Sequence, residues 1–582
     1  LLDADGPPVK PEAEFPRDLL PQVGAEAVDL GSIDTTGLAE GVYQVRVDVL
    51  DEAGTPIGSG ASGLRIGQVL DLALTLDPTI VGPGSARVEA QIRATATVDP
   101  LPPRPVRALW VHSDNAAGGR LDDTGFQGFS LLNAYLLDAG FENLEVLEDD
   151  VTLTPELLAA FDILVFNANE RVFSADEVDA VTDFVEAGGG LLQLSGYGLP
   201  GEAASDNQIS QPFGLGYAST LVEAALVQME DHPLTVGVPS MFIPDARLLD
   251  VDVPASALNT DPGGVGLAVA DLGFGRVVAY SGGPTTLHNS SDAFDTGIRI
   301  LSNRRLLLNM MNWLSQRSLY LADFDADPDG AEILTGSDVS DVYADWGLSV
   351  AIGDDVDPLI ETGPVFADDN DVPQSNVLAP LPDPGGTTNI GFSPSHPLLV
   401  MLDEPTDFLQ LDIIDGDRVI EGEVSIFQSD GQLLARRDLD KASLSESLSF
   451  WRAERDIRYL VLTEEGGSAD GAVVDNLGFA PTSVHRYPLT VTQQLPVEPG
   501  IVLDPTSIEP PDAMREVFGD VDILRWRSFL TPDEPTALFG LDLDLTDLKP
   551  GEVRTVASAT DAELRIGGDT AQAVLGPADV AV

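Results

Sequence analysis

The chain has 582 residues, 96 of them acidic against 30 basic, a formal charge of −66 at pH 7, and no cysteine. Such a field repels nucleic acid and anionic lipid, and the absence of thiols excludes disulfides and cysteine nucleophiles. With 43% hydrophobic residues the chain can build several ordinary cores, and it contains no apolar run of about 18 residues that would insert into a membrane.

Residues 1–98 read as β-structure. Gly41–Leu50 (GVYQVRVDVL) alternates with the period of a strand, and Asp51–Gly54 turns it into a second strand from Pro56. Leu2–Val9 echoes Leu50–Ile57, so the chain opens where the second strand of a hairpin is expected, without its first. Leu70–Leu76 and Ala86–Val98 supply two more alternating strands. Thr36–Tyr43 resembles the hairpins of immunoglobulin-like repeats in large bacterial surface proteins. That resemblance implies an immunoglobulin-like sandwich over 1–98 whose N-terminal strand is shared or truncated. Residues 99–105 (DPLPPRP) are a stiff linker.

Residues 106–316 carry an α/β pattern. Val106–His112, Asn143–Leu147, Ile163–Phe166, Leu191–Leu194 and Gly275–Ser281 are short apolar runs of the kind buried in a parallel sheet. Phe129–Ala139 and Asn303–Leu314 read as helices. Between two of the strands, Ser174 with Glu177 three residues on predicts a capping box. Val178, Val181, Phe184 and Val185 then form one apolar stripe, and Gly188–Gly190 stops the helix. The expected fold is a flavodoxin-like doubly wound domain. DILVFNAN, AGGGLLQL, GRVVAYSGG and LLNMMNWL together resemble the class I glutamine amidotransferase-like fold, in its non-catalytic branches. In that family's enzymes a cysteine occupies the turn after the strand. Here the turn reads Leu194-Ser195-Gly196-Tyr197-Gly198. A serine there needs a base within reach, and His288, in a polar loop after a strand end, is better placed than His232. The expected outcome is a retained scaffold without turnover; a serine-type hydrolase using Ser195 and His288 is the alternative. Asn115–Arg120 follows the first strand, where a ligand loop belongs, but lacks the G-x-G-x-x-G spacing.

Residues 319–482 return to β-structure, with alternating strands at Phe408–Ile413, Val424–Phe427, Leu433–Arg436, Arg458–Leu462 and Val473–Phe479. Asp323-Phe324-Asp325, Tyr343–Leu348 and Val474–Phe479 resemble the carbohydrate-binding-module-like jelly rolls of exported bacterial proteins. Asp323, Asp325, Asp327 and Asp329 alternate in one short segment, a spacing that supplies several oxygens for calcium, although Pro328 departs from the EF-hand template. The jelly-roll resemblance implies a Ca2+ joining Asp323 or Asp325 to Asp475. Asp368–Asp371 is a second acidic cluster. Tyr343, Trp346, Trp451 and Tyr459 are read as core, with stacking on sugars as the alternative. Residues 487–582 are expected to form one more β-sandwich with a strand-like end at Asp579–Val582.

These readings converge on a multidomain β plus α/β architecture, with immunoglobulin-like sandwiches flanking a doubly wound domain and a jelly roll. The expected role is a non-enzymatic extracellular or cell-surface structural protein, a segment of a fibre, filament or adhesin. Its terminal strands are expected to pair with copies of itself or adjoining repeats. Polysaccharide binding by the jelly roll is the alternative; nucleic acid and membrane insertion are not expected.

Overall fold

The computed structural model describes residues 2–3, 41–50, 56–66, 70–81, 83–96, 104–113, 120–196, 198–199, 201–226, 228–238, 240–289, 297–298, 301–317, 319–328, 331–334, 337–352, 359–362, 376–379, 397–414, 422–439, 445–464, 473–480, 487–511, 513–518, 521–531, 535–550, 552–566 and 569–581. The chain divides into two compact units, Pro102–Val484 and the pair Leu1–Leu101 with His485–Val582.

In the first unit, β1 (Val106–His112), β2 (Phe141–Leu147), β3 (Ile163–Asn167) and β4 (Gly190–Leu194) are parallel, with α1 (Ser130–Asp138) and α2 (Ala175–Glu186) as crossovers. Next come α3 (Glu202–Ser210), the hairpin β5 (Leu267–Leu272) and β6 (Gly275–Tyr280), and α4 (Leu301–Leu314). Across the sheet the order is Ser256–Ala257, β5, β6, β4, β3, β1, β2, with β6 parallel to β4. The first four strands therefore follow the order 2-1-3-4 of a doubly wound domain. Every residue of β3 and β4 is buried. Alternate side chains enter two separate cores: Ile163, Val165 and Leu192 go to one face, Leu164, Phe166 and Leu191 to the other. That is why these strands are continuously apolar. The capping box forms as expected, with Ser174 Oγ accepting from the Glu177 amide at 3.3 Å and Glu177 Oε2 accepting from the Ser174 amide at 3.0 Å. The sequence reading missed the antiparallel hairpin Val222–Leu226/Met241–Ala246 and the pairing of Leu215–Tyr217 with Leu249–Val251. Both are too short to show a period.

The jelly roll follows with β7 (Tyr320–Ala322), β8 (Phe408–Ile414), β9 (Ser445–Trp451) and β10 (Val473–Phe479). One sheet has the order Leu359–Thr362, Asn376–Ala379, β10, β8, β9, with β7 paired to β10. The other runs Leu348–Ile352, Leu398–Thr406, Ile457–Glu464, Gly422–Phe427, Leu433–Asp438. Its core includes Phe324, Tyr343, Leu409, Leu411, Leu460 and Leu477.

The second unit corrects the expected boundaries. The strands Leu70–Asp77 and Gly84–Ala96 do not belong to a separate N-terminal sandwich. They complete a sheet with Thr536–Leu548 and Ile501–Glu509, in register from Thr95↔Thr536 to Ala86↔Leu545. The facing sheet runs Met514–Phe518, Val521–Leu530, Tyr487–Pro496, Ala559–Ile566, Asp569–Leu575. Val88, Ile92, Phe539, Leu541, Val491 and Trp526 share one core. The spans 1–98 and 487–582 thus contribute to one discontinuous sandwich, and residues 102–484 are inserted in its sequence. Alternation along a strand states which face is apolar, but not which strand covers it. A further sheet joins Leu2–Asp3, Gly41–Leu50 and Pro56–Ile66. Within the chain, Leu2–Asp3 pairs with Tyr43–Gln44, and Ala578–Ala581 with Val553–Ala557. Residues 4–11 lie outside the described residues.

Candidate functional site

The C-terminal edge of a doubly wound sheet is where ligands and nucleophiles are placed. Here the chain leaves β4 through Ser195, whose amide donates to Tyr280 O at 3.1 Å. Gly196 follows at φ +120°. A Cβ there would lie 2.5 Å from Asp245 O and 2.6 Å from Ser281 O, so only glycine fits. Gly198 and Gly201 are also left-handed, at +77° and +92°. Tyr197 lies outside the described residues.

This turn has the shape of a nucleophile elbow but different chemistry. The Ser195 hydroxyl is fully buried and bonds Asp206 Oδ2 at 2.5 Å, not a histidine. Burial, reinforced by the neighbouring charge of Glu202, pushes the Asp206 carboxyl well above the carboxylate range. The serine hydroxyl is thus held by a buried acid within the fold and meets no histidine. Gln193 Nε2 donates to Asp206 O at 2.9 Å, and Tyr217 donates its hydroxyl to Gln193 O at 3.2 Å. The turn's amides are taken by Glu202, the first residue of α3, whose carboxylate pairs with Arg247. Backbone donors that would stabilise an oxyanion are thus already satisfied. His288, the expected base, follows the short helix Gly283–Leu287, and its ring centroid is 5.0 Å from that of Phe126. Burial lowers its pKa. The sequence reading missed Glu202, Asp206 and Arg247; an acid directly after a glycine-rich turn was the available signal.

A second polar group, His112 with Glu145, lies on the adjacent strands β1 and β2. His112 is buried, and burial followed by the charge of Arg120 pulls its pKa down to about 4. Its Nε2 is 3.5 Å from Glu145 Oε1. With both groups so placed, His112 is a neutral core histidine. Residues 114–119 of the adjoining loop lie outside the described residues.

Of the acids expected to bind calcium, Asp325 lies near enough to Asp475 for its charge to help raise the Asp475 pKa, after burial and the charge of Asp412. Asp323 Oδ1 accepts from the amides of Asp325 (3.1 Å) and Ala326 (3.4 Å), and Asp327 Oδ1 from the Ala331 amide (2.8 Å). Asp475, on β10, accepts its neighbouring Asn476 amide at 2.7 Å and Arg305 Nη2 at 3.3 Å. Arg305 comes from α4 of the α/β domain and also reaches Asp412 Oδ2 with Nε and Nη2, at 2.8 and 2.6 Å. Ser447 Oγ donates to the other Asp412 oxygen, and Asn476 Nδ2 to Asp412 Oδ2 at 3.1 Å. A guanidinium therefore supplies the positive charge next to Asp475. Among the described residues no group of three or more His, Cys, Asp or Glu is arranged to hold a metal ion. Asp329 and Asp368–Asp371 lie outside the described residues.

The aromatic residues are structural. Tyr343 is 1% exposed, and Trp346 stacks on Tyr320 at 5.0 Å with rings 5° apart. Trp451 packs against the α/β core, over Gly140. The exposed large hydrophobic residues of the jelly roll among those described are Leu334 and Leu433, neither aromatic.

The sequence matches no family model and no curated protein. Among solved structures it is similar to the N-terminal domain of mmIFT52, at 17% identity over 36% of this chain and 97% of that one, with a TM-score of 0.29. It is also similar to a cytoplasmic protein, STM1381, of Salmonella typhimurium LT2 (15% identity, 36% and 98% covered, TM-score 0.27). A ThuA-like protein of Bacteroides uniformis matches at 14% identity over 40% and 98%, with a TM-score of 0.27. Outside the α/β domain the described regions are antiparallel β-sheet domains. The strand order itself carries the fold assignment.

Proposed function

We propose that the chain is a non-enzymatic structural segment of an extracellular or cell-surface protein, of the kind that builds a fibre, filament or adhesin. The observation that carries this reading is the closed turn after β4. Its serine bonds the buried Asp206, and its amides are consumed by Glu202. A scaffold kept without its chemistry is a spacer. The strong acidity suits a solvated surface and keeps a large assembly soluble. The jelly roll joins the α/β domain through a buried arginine, which favours a stiff module over a hinged one. Pairing of the terminal β-strands with copies of itself or adjoining repeats is the assembly mode proposed. Tyr343 is buried and Trp346 and Trp451 are half-buried against core side chains, a setting that favours packing over polysaccharide recognition.

The test is a broad ester and amide hydrolysis screen of the full chain beside Ser195→Ala. No turnover, or background turnover unchanged in the variant, is expected. Reproducible activity abolished by the substitution would overturn the proposal.

A further inference from the structure

Glu202 is held as a bound anion is held. Its Oε1 accepts from the Gly196 amide at 3.1 Å, and its Oε2 from the amides of Gly198 and Leu199 at 2.8 and 3.3 Å. Arg247 adds Nε and Nη2 to Oε2 at 3.1 and 2.9 Å. The two side chains are 0% and 5% exposed. The Gly196 amide and Arg247 are held by contacts other than Glu202. Ser195 and Gly196 continue β4, and the Ser195 amide is tied to Tyr280. Arg247 is braced by its Nη1, which donates to Ala218 O and Ser219 O at 3.4 and 3.1 Å.

We infer that the turn after β4 is a carboxylate-binding cradle occupied by the chain's own Glu202, and that emptying it opens a site for a small carboxylate such as acetate. Amides and a guanidinium converging on one anion are the elements of carboxylate recognition, and the planar guanidinium fork matches a planar carboxylate. Cutting Glu202 back to Ala removes one methylene and the carboxylate, which is an acetate in outline. It leaves a buried guanidinium and three amides without their acceptor. An acetate ion entering the gap restores both charge and hydrogen bonds. In the native chain the side chain reaches the donors from the first residue of α3, with no association entropy to lose, and so excludes any free carboxylate. The inference rests on the reading of the turn as closed, and its test has a separate readout from hydrolysis.

The test compares thermal unfolding of the full-length wild type, Glu202→Ala and Glu202→Gln in sodium acetate and in sodium chloride of equal ionic strength. Binding to the native state alone raises the melting temperature with ligand concentration. Acetate is expected to raise that of Glu202→Ala by several degrees above the chloride control and to leave wild type at its control value. Glu202→Gln, whose amide still fills the cradle, is expected to ignore acetate. Adding Arg247→Met to Glu202→Ala should abolish the response. Equal shifts in acetate and chloride, or an acetate shift in wild type or Glu202→Gln matching that of Glu202→Ala, overturn the inference. Inorganic phosphate as effective as acetate overturns the assignment to carboxylates. If Glu202→Ala is isolated unfolded, refolding in acetate but not in chloride is the expected result, and failure in both overturns the proposal.

Discussion

Arg305 and Asp475 lie 170 positions apart in the chain, yet Nη2 of one is 3.3 Å from Oδ2 of the other, with both side chains below 5% exposed. The arginine belongs to the last helix of the α/β domain, and the aspartate to the closing strand of the jelly roll. Asp412 stands directly opposite Asp475 on the adjacent strand and shares the same guanidinium. One cation thus lies between two buried acids across a domain boundary. Removing it leaves both carboxylates buried and unpaired, a loss of about 3–5 kcal/mol. Arg305→Met is therefore expected to lower the stability of the full chain by that amount and to separate the unfolding of the two domains. Denaturant titration followed by calorimetry checks this. A loss below about 1 kcal/mol, the level of an exposed pair, would show that the clamp does not hold the domains together.

A second contact across the same boundary rests on a glycine. Gly140, at φ +81°, ends the loop after α1, and a Cβ there would penetrate the indole of Trp451. Gly140→Ala should cost about 1–3 kcal/mol through overpacking, plus the strain of a left-handed alanine. Trp451→Ala alone should cost about 3–5 kcal/mol by cavity formation. In the double variant the overpacking disappears, so the two losses should add to less than their sum. A double-mutant cycle measures the coupling, and strict additivity would refute direct contact.

What was legible in the sequence was local. Ser174 and Glu177 announce the start of α2, and the apolar runs at Ile163 and Leu191 mark buried strands, because capping and burial leave signatures within a few residues. The elbow after Leu194 was legible as a place but not as a chemistry. Its partners Asp206 and Arg247 come from a helix and a hairpin that the chain brings back later. Asp475 was read as a calcium ligand because its strand carries a recognisable acid; the guanidinium that meets it lies in another domain, and no spacing announces it. The discontinuous sandwich was hidden for the same reason, since the partner of Gly84–Ala96 lies more than four hundred residues downstream.

The raised pKa of Asp206 has a consequence for pH. Its native pKa is raised by burial and by Glu202, so the folded state binds the proton more tightly than the unfolded chain, which releases it above about pH 4. Stability changes with pH as the difference in bound protons between unfolded and native states. That difference is negative here, so this group's contribution is fully present below the unfolded pKa and falls as pH rises toward the native value. Asp206→Asn removes the titration. Subtracting its stability-versus-pH curve from that of wild type is expected to leave a curve that declines from about pH 4 upward. A flat or rising difference would mean that Asp206 is ionised in the native state, and it would restore a base beside Ser195.

The last expectation concerns the sandwich into whose sequence residues 102–484 are inserted. Strand Gly84–Ala96 buries Val88, Ala90, Ile92, Ala94 and Ala96, and it lies between Leu70–Asp77 and Thr536–Leu548 in the sheet. A fragment spanning only 487–582 loses both N-terminal strands and exposes the side chains they cover, among them Phe539, Leu541 and Leu543. Each large apolar side chain returned to water forfeits about 1.5–3 kcal/mol. A few of them exceed the total stability of a small domain, about 5–15 kcal/mol. The fragment 487–582 is therefore expected to be unfolded or aggregated, through the unpaired edge of Thr536–Leu548. Residues 70–98 joined to 485–582 by a short glycine-serine linker should instead fold and melt cooperatively. Circular dichroism and amide dispersion in NMR spectra distinguish the two products. A cooperative transition in the isolated 487–582 fragment would show that the N-terminal strands are an accessory to a self-sufficient domain.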